Sequence, residues 1–108
     1  MSYKLKTLPL FDSELKKLSR KYLSLKNEYA KLLDVLEKNP MIGTPIGKDC
    51  FKIRLAIKSK SKGKSGGARV ITCVKIIAKT VYLIAIYDKS DFENMNDSDL
   101  KNRLKEIF

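Results

Sequence analysis

The spacing of apolar residues changes along this chain, and each change marks an element. From Ser2 to Leu8 the residues alternate, with Tyr3, Leu5 and Thr7 on one side and Lys4, Lys6 and Leu8 on the other. That alternation predicts a short strand, ended by Pro9. Helical spacing follows at Phe11, Leu15, Leu18 and Tyr22. It predicts a helix from Phe11 to Leu23 with Asp12 or Ser13 as N-cap. A second stripe, Leu25, Tyr29, Leu32, Leu33 and Leu36, predicts a helix from about Ser24 to Lys38, stopped by Asn39-Pro40. No Gly or Pro separates the two stripes, so one bent helix is the alternative. A single helix from Asp12 to Asn39 would be too long to pack fully on a small domain, which favours an antiparallel pair.

After a turn-rich passage, Asn39 to Asp49, the period returns to two. Phe51, Ile53, Leu55 and Ile57 alternate with Lys52, Arg54, Ala56 and Lys58, predicting a strand with one buried and one positive face. A strand from Arg69 to Ile77, an Ala78-Lys79 turn and a strand from Thr80 to Tyr87 follow. In the last of these, Val81, Leu83, Ala85 and Tyr87 should share one face and Tyr82, Ile84 and Ile86 the other. Apolar residues on both faces suit a central strand. A final helix from about Asp97 to Ile107 would turn Leu100, Leu104 and Ile107 inward. The order β-α-α-β-β-β-α describes one α+β domain over residues 1–108, a small antiparallel sheet with helices packed on one side. No internal repeat or domain boundary interrupts it.

Charge adds a partner class to this outline. The formal net charge is +11, and it is unevenly placed. Between Lys48 and Lys79 ten Lys or Arg stand against the single acid Asp49, whereas from Asp88 onward four basic residues stand against six acidic ones. Lys58, Lys60, Lys62 and Lys64 alternate into a Ser65-Gly66-Gly67 hinge that leads to Arg69. A loop of like charges is poor core material and good material for gripping a polyanion. The plainer alternative is a solvated loop of a basic protein. With no histidine and two cysteines, Cys50 and Cys73, the chain has neither a Ser-His-Asp or Cys-His catalytic set nor zinc-ligand spacing. No apolar run resembles a signal peptide or a membrane span, so a reduced cytoplasmic setting without membrane contact is expected.

Several segments, in this order, resemble the RelE/ParE superfamily of toxin–antitoxin toxins, within it the RelE/HigB-like branch. They are FDSELKKL in the first helix, LLDVLEKNPMIGTPIG closing the second, FKIRLAI on the second strand, then GKSGGARVI and YLIAIYDKSD before a last short helix. The resemblance covers essentially the full length. It implies an RNase-like fold, mRNA cleavage on the ribosome without metal or cofactor, and a cognate antitoxin protein as partner. Metal-free RNA cleavage needs the 2′-hydroxyl deprotonated, the extra charge of the pentavalent phosphate stabilised and the leaving 5′-oxygen protonated. Clustered fixed cations supply the second requirement. Crowded lysines disfavour one another's protonation and so offer acid or base groups.

Matched to the family's pattern, Arg69 and Lys89 would stabilise the phosphate and the transition state, with Lys52 and Arg54 positioning the backbone or sharing that role. Lys58, Lys60, Lys62 and Lys64 would bind RNA. Two departures stand out. Arg54 occupies a position where the best-known members carry lysine, and a guanidinium stays protonated, so it is no general base. The tyrosine those members carry before the last helix is also absent from DFENMNDSD, leaving its stacking role to Phe92 or Tyr87. The structural alternatives are an Arg69 ion pair with Asp88 or Asp91, a solvent-facing Arg54 and a core Tyr87. Competing functions are a ParE-like gyrase inhibitor and an RNA- or ribosome-binding module that does not cut.

Overall fold

The computed structural model describes residues 2–60, 66–92 and 94–107. Among these, strand β1 (Lys4–Thr7) is followed by helices α1 (Pro9–Lys21) and α2 (Leu25–Lys38). Strands β2 (Thr44–Gly47), β3 (Cys50–Leu55), β4 (Ala68–Lys75) and β5 (Thr80–Asp88) come next, and α3 (Asp97–Leu104) closes the chain. The strands form one sheet in the order β1-β5-β4-β3-β2. The α+β architecture expected from the sequence is present, with four findings that sharpen it.

The first helix starts two residues earlier than its apolar spacing predicts. Leu8 is the N-cap, in extended backbone and without a side-chain cap bond, and Pro9 opens the helix. Proline's fixed φ suits a first helical turn, where its missing N–H would have had no partner. Asp12 therefore sits inside the first turn, facing the helix dipole favourably, instead of capping it. The chain then breaks at Tyr22 to Ser24, giving two helices and not one bent one.

A strand also lies inside the passage read as turns. β2 is wholly exposed and contains Pro45, so neither alternation nor β-propensity announces it. It pairs with β3 across a two-residue turn in which Lys48 and Asp49 take φ of 56° and 63°. Positive φ at both central residues is the hairpin geometry whose twist matches the flanking strands.

The sheet is mixed. β1 pairs parallel to β5, while the remaining pairings are antiparallel. The connection between β1 and β5 runs through α1, α2 and strands β2 to β4, long enough for the crossover that parallel neighbours require. β4 ends at Lys75, and Ile76 and Ile77 lie exposed in the turn to β5.

The face assignment of β5 is corrected by a bulge. Ile71 pairs with Ala85, but Thr72 pairs with Leu83, leaving Ile84 as the extra residue. A one-residue insertion reverses which side each later residue faces. Ala85 and Tyr87 therefore share a face with Tyr82, not with Val81 and Leu83.

One face carries the row Ile53–Val70–Ile86, together with Val74, Val81 and Leu83, under the two long helices. Leu8, Phe11, Leu25, Leu32 and Leu36 complete this core. Phe11 is fully buried and packs its ring 5.8 Å from that of Tyr29. The opposite face carries Lys52, Arg54, Arg69, Ile71, Ala85 and Tyr87, with α3 laid over part of it through Leu100 and Leu104.

The edge of β5 needs its own solution, because β1 pairs only with Thr80 to Leu83. Beyond that point Glu14 of α1 accepts the Ile86 N–H at 3.3 Å, and Arg103 of α3 donates to the Ile84 carbonyl at 3.0 Å. The two side chains bond each other at 2.8 and 2.7 Å. Glu14 raises the Arg103 pKa above its ordinary value through these bonds, against the opposing effect of burial. An ion pair thus closes an otherwise open backbone edge and ties α3 to α1.

Candidate functional site

The strand registers bring the proposed cations together. Arg54 of β3 lies directly opposite Arg69 of β4, which lies directly opposite Tyr87 of β5. At the usual strand spacing the three α-carbons span about 10 Å. The next row on that face is Lys52, Ile71 and Ala85. Like charges directly opposite across a strand pair repel, so Arg54 and Arg69 form a local concentration of positive charge on this face.

Their environments differ. Arg54 is exposed, whereas Arg69 is only 1% exposed and donates from Nη1 to the Ala68 carbonyl at 3.1 Å. Lys52 is half-buried and donates from Nζ to Asn94 Oδ1 at 2.7 Å, beside a recess of about 190 Å³ lined also by Ile71, Met95 and Leu100. Lys89 follows β5, and its backbone N–H donates to the Gly67 carbonyl at 3.1 Å, which holds it at the Arg69 end of the sheet.

Tyr87 and Phe92, alternatives for one stacking role in the sequence, stack on each other. Their ring centroids are 4.3 Å apart with planes inclined by 19°. Tyr87 is the inner ring at 5% exposure and Phe92 the outer one at 43%, so one aromatic face remains open to solvent.

The lysine-rich segment leaves the sheet at this same end, and its beginning is anchored. Lys58 to Lys60 form a 3₁₀ turn. The Lys58 N–H donates to Glu28 Oε2 at 2.7 Å and the Ser59 N–H to Ser24 Oγ at 3.0 Å, and Ser24 itself bonds Glu28 at 3.0 Å. Lys58 is exposed, whereas Lys62 and Lys64 lie outside the described residues. The return to β4 passes Gly67, where a Cβ would collide with the Leu55 carbonyl. Glycine here lets β4 enter the sheet against β3, a reason different from the hinge role expected of it.

Asp88 faces away from the cation row, because it pairs with Ala68 on the helix side of the sheet. It accepts from Tyr22 Oη at 2.7 Å and from the Ser90 N–H at 2.8 Å, with Lys21 Nζ 3.8 Å away. Two contributors to the site region escaped the sequence reading. Asn94 bonds Lys52 from the run that also holds Phe92, and Glu28 with Ser24 fixes the base of the lysine loop. Spacing carries no signal for either, since both contacts cross between distant elements.

No family model matches the chain. Solved structures do. A doubly substituted mutant of the E. coli toxin RelE in its free state is 22% identical, with all of each chain covered and a TM-score of 0.66. The intact E. coli RelBE toxin–antitoxin complex gives 24% identity over 81% of this chain and 96% of that one, with a TM-score of 0.59. The RelBE2 toxin–antitoxin complex of Mycobacterium tuberculosis gives 16% identity over 82% and 92%, with a TM-score of 0.55. These likenesses show that the chain has the RelE toxin fold.

Proposed function

We propose that this protein is the toxin of a type II toxin–antitoxin system, a cytoplasmic endoribonuclease that cleaves mRNA on the ribosome without a metal ion. The observation that carries this reading is the Arg54–Arg69–Tyr87 row, with Lys52 one row away and Lys89 at the strand end. Guanidiniums present forked N–H donors that match the oxygens of a phosphodiester. Arg54 and Lys52 would hold the scissile phosphate. Arg69, beside Arg54 on the next strand, would stabilise the charge that develops as the 2′-oxygen attacks phosphorus and the 5′-oxygen leaves. Lys89 would add a further cation from the loop. The open face of Phe92, backed by Tyr87, would stack a neighbouring base, worth about 1–3 kcal/mol. Lys58 and the lysines that follow would track the RNA backbone.

The partner proposed for its control is a cognate antitoxin, as in the toxin–antitoxin complexes that share the fold. A second reading, an RNA-binding module that does not cut, is favoured by the near-complete burial of Arg69 and Tyr87, at 1% and 5% exposure. One experiment separates these readings from a gyrase inhibitor. The protein is added to translating ribosomes, mRNA 5′ ends are mapped, and DNA is assayed for breaks in parallel. New mRNA ends support the nuclease. Intact mRNA with broken DNA supports the gyrase inhibitor, and intact mRNA and DNA with retained ribosome binding support the passive binder.

A further inference from the structure

Cys50 and Cys73 are the two cysteines of the chain, and nothing in the proposed RNA chemistry uses them. They stand directly opposite each other on β3 and β4, both buried and both free thiols. Their side chains point to the same side of the sheet, the one that α3 partly covers. Both sulfurs approach a single atom, the Lys48 carbonyl oxygen of the β2–β3 turn, at 3.6 Å from Cys50 Sγ and 3.8 Å from Cys73 Sγ.

The register gives the pair a further property. The next residues outward are Asp49 and Val74, and the Val74 N–H donates to the Asp49 carbonyl at 2.9 Å. Hydrogen-bonded and non-hydrogen-bonded pairs alternate along an antiparallel ladder, so Cys50 and Cys73 occupy a non-hydrogen-bonded position. There the α-carbons sit about 4.5 Å apart, inside the range that a disulfide bridges.

We propose that Cys50 and Cys73 are a redox-modification site, a cross-strand dithiol that a small hydroperoxide converts to an intrachain disulfide and a dithiol reductant reopens. One thiol of the pair gives up its proton and the thiolate attacks the peroxide; the O–O bond breaks, the sulfur becomes a sulfenic acid, and the departing hydroxide takes up the released proton to leave as water. The other thiol then attacks the sulfenic sulfur, forming the S–S bond and releasing a second water, which carries away the thiol hydrogen. Peroxide supplies the oxidising equivalents and leaves wholly as water. The reductant returns two electrons and two protons by thiol–disulfide exchange.

The contact between the two sulfurs lowers the Cys73 pKa, aided by the Lys75 charge and opposed by burial and Asp49, and raises that of Cys50. The pair thus favours losing one proton while keeping the other, as a dithiol that reacts with peroxide requires. Hydrogen peroxide is the oxidant chosen because it is small and a recess beside the hairpin turn borders Lys48, whose carbonyl both sulfurs approach. There Lys48, Asp49, Lys101, Leu104 and Lys105 border a recess of about 380 Å³.

The disulfide would staple β3 to β4 at the end of the sheet far from the lysine loop. It would also close a loop containing that segment. Limiting the unfolded chain in this way should raise Tm by something on the order of 10 °C.

The test uses the purified full chain treated with hydrogen peroxide, quenched, and alkylated under denaturing non-reducing conditions. The expected result is an intact mass lower by two hydrogens, a peptide cross-link joining Cys50 to Cys73, protection of both from alkylation, and a raised Tm that a dithiol reverses. Cys50→Ala should abolish the cross-link and leave Cys73 to gain oxygen. Four results would overturn the proposal: both thiols still alkylated, oxygen added to either sulfur of the parent without a cross-link, a link formed only between chains, or a disulfide that lowers Tm. Circular dichroism of Cys50→Ala checks that the variant is folded. If it is not, the parent protein's mass and cross-link decide by themselves.

Discussion

The two faces of this sheet obey opposite rules. Beneath α1 and α2, the row Ile53–Val70–Ile86 is apolar across three strands and every member is nearly or fully buried. One residue along the same strands, the row Arg54–Arg69–Tyr87 sets two positive charges opposite each other and leaves the first exposed. Local geometry is shared, since both rows use the same backbone ladder. The difference is therefore one of side-chain chemistry. The helix side maximises buried apolar area and the other side places like charges where they cost stability. A row of two guanidiniums and an aromatic ring on one face is a set of groups suited to an anion with bases attached, and a phosphodiester is the group proposed here.

That division can be broken by substituting one residue on each side. Phe11→Ala removes a fully buried ring from the helix side and should destabilise the fold by about 3–5 kcal/mol. Urea unfolding would measure it as a lowered midpoint at unchanged slope. A loss below about 1 kcal/mol would mean that the helix side does not carry the core.

On the other side, Arg69→Ala should reduce cleavage of ribosome-bound mRNA by about a hundredfold, the usual cost of losing a preorganised charge at the reacting group. Arg69 is as buried as Phe11, so its truncation also costs packing; Arg69→Lys, which keeps the charge and most of the volume, should lower cleavage while moving the unfolding midpoint far less than Phe11→Ala does. Single-turnover cleavage and urea unfolding on the same preparation give both readouts. Equal destabilisation by Arg69→Lys and Phe11→Ala would make Arg69 a structural residue and dissolve the contrast between the faces.

How much of this contrast is visible in the sequence depends on the kind of contact. Alternation along 51–57 marks the apolar side of β3 correctly because Ile53 and Ile57 are buried and Arg54 and Lys58 exposed. The two long helices follow from their stripes for the same reason. β5 resists such a reading. Nearly every residue in it is apolar, so parity had no contrast to report, and the bulge at Ile84 reversed it midway. β2 is hidden by Pro45 and complete exposure. The cations of the site could be nominated from their residue types, but their assembly into one row is a property of register. The near-complete burial of Arg69, at the head of an apolar strand, is likewise a matter of what packs around it. Lys62 and Lys64 remain sequence expectations, outside the described residues.

The seam where the two faces meet supplies a finer test. Arg103 and Glu14 join α3 to α1 over the open edge of β5, with side chains 13% and 29% exposed. Arg103→Ala breaks two bonds to Glu14 and one to the Ile84 carbonyl. Because both side chains retain some contact with water, the loss should be smaller than for a fully buried pair, about 1–3 kcal/mol. Hydrogen exchange should quicken at the edge amides of β5 more than at those of β4. Uniform acceleration across the sheet would show that the pair is not a local seal.

The smallest effect belongs to the start of α3, which rests on the charged face and not on the main core. Asn96 is its N-cap, in extended backbone, and its Oδ1 accepts the Ser98 N–H at 2.7 Å. Asp97 and Asp99 in the first turn add favourable interactions with the helix dipole. Asn96→Ala leaves an N–H of the first turn to water and should cost about 1 kcal/mol. Helix α3 is short, and only Leu100 and Leu104 within it are buried, so the loss should appear as fraying of this helix before it appears in global unfolding. Amide exchange at residues 98–101 is the direct measurement. If that exchange is unchanged, the cap contributes nothing beyond what the two leucines and Arg103 already hold in place.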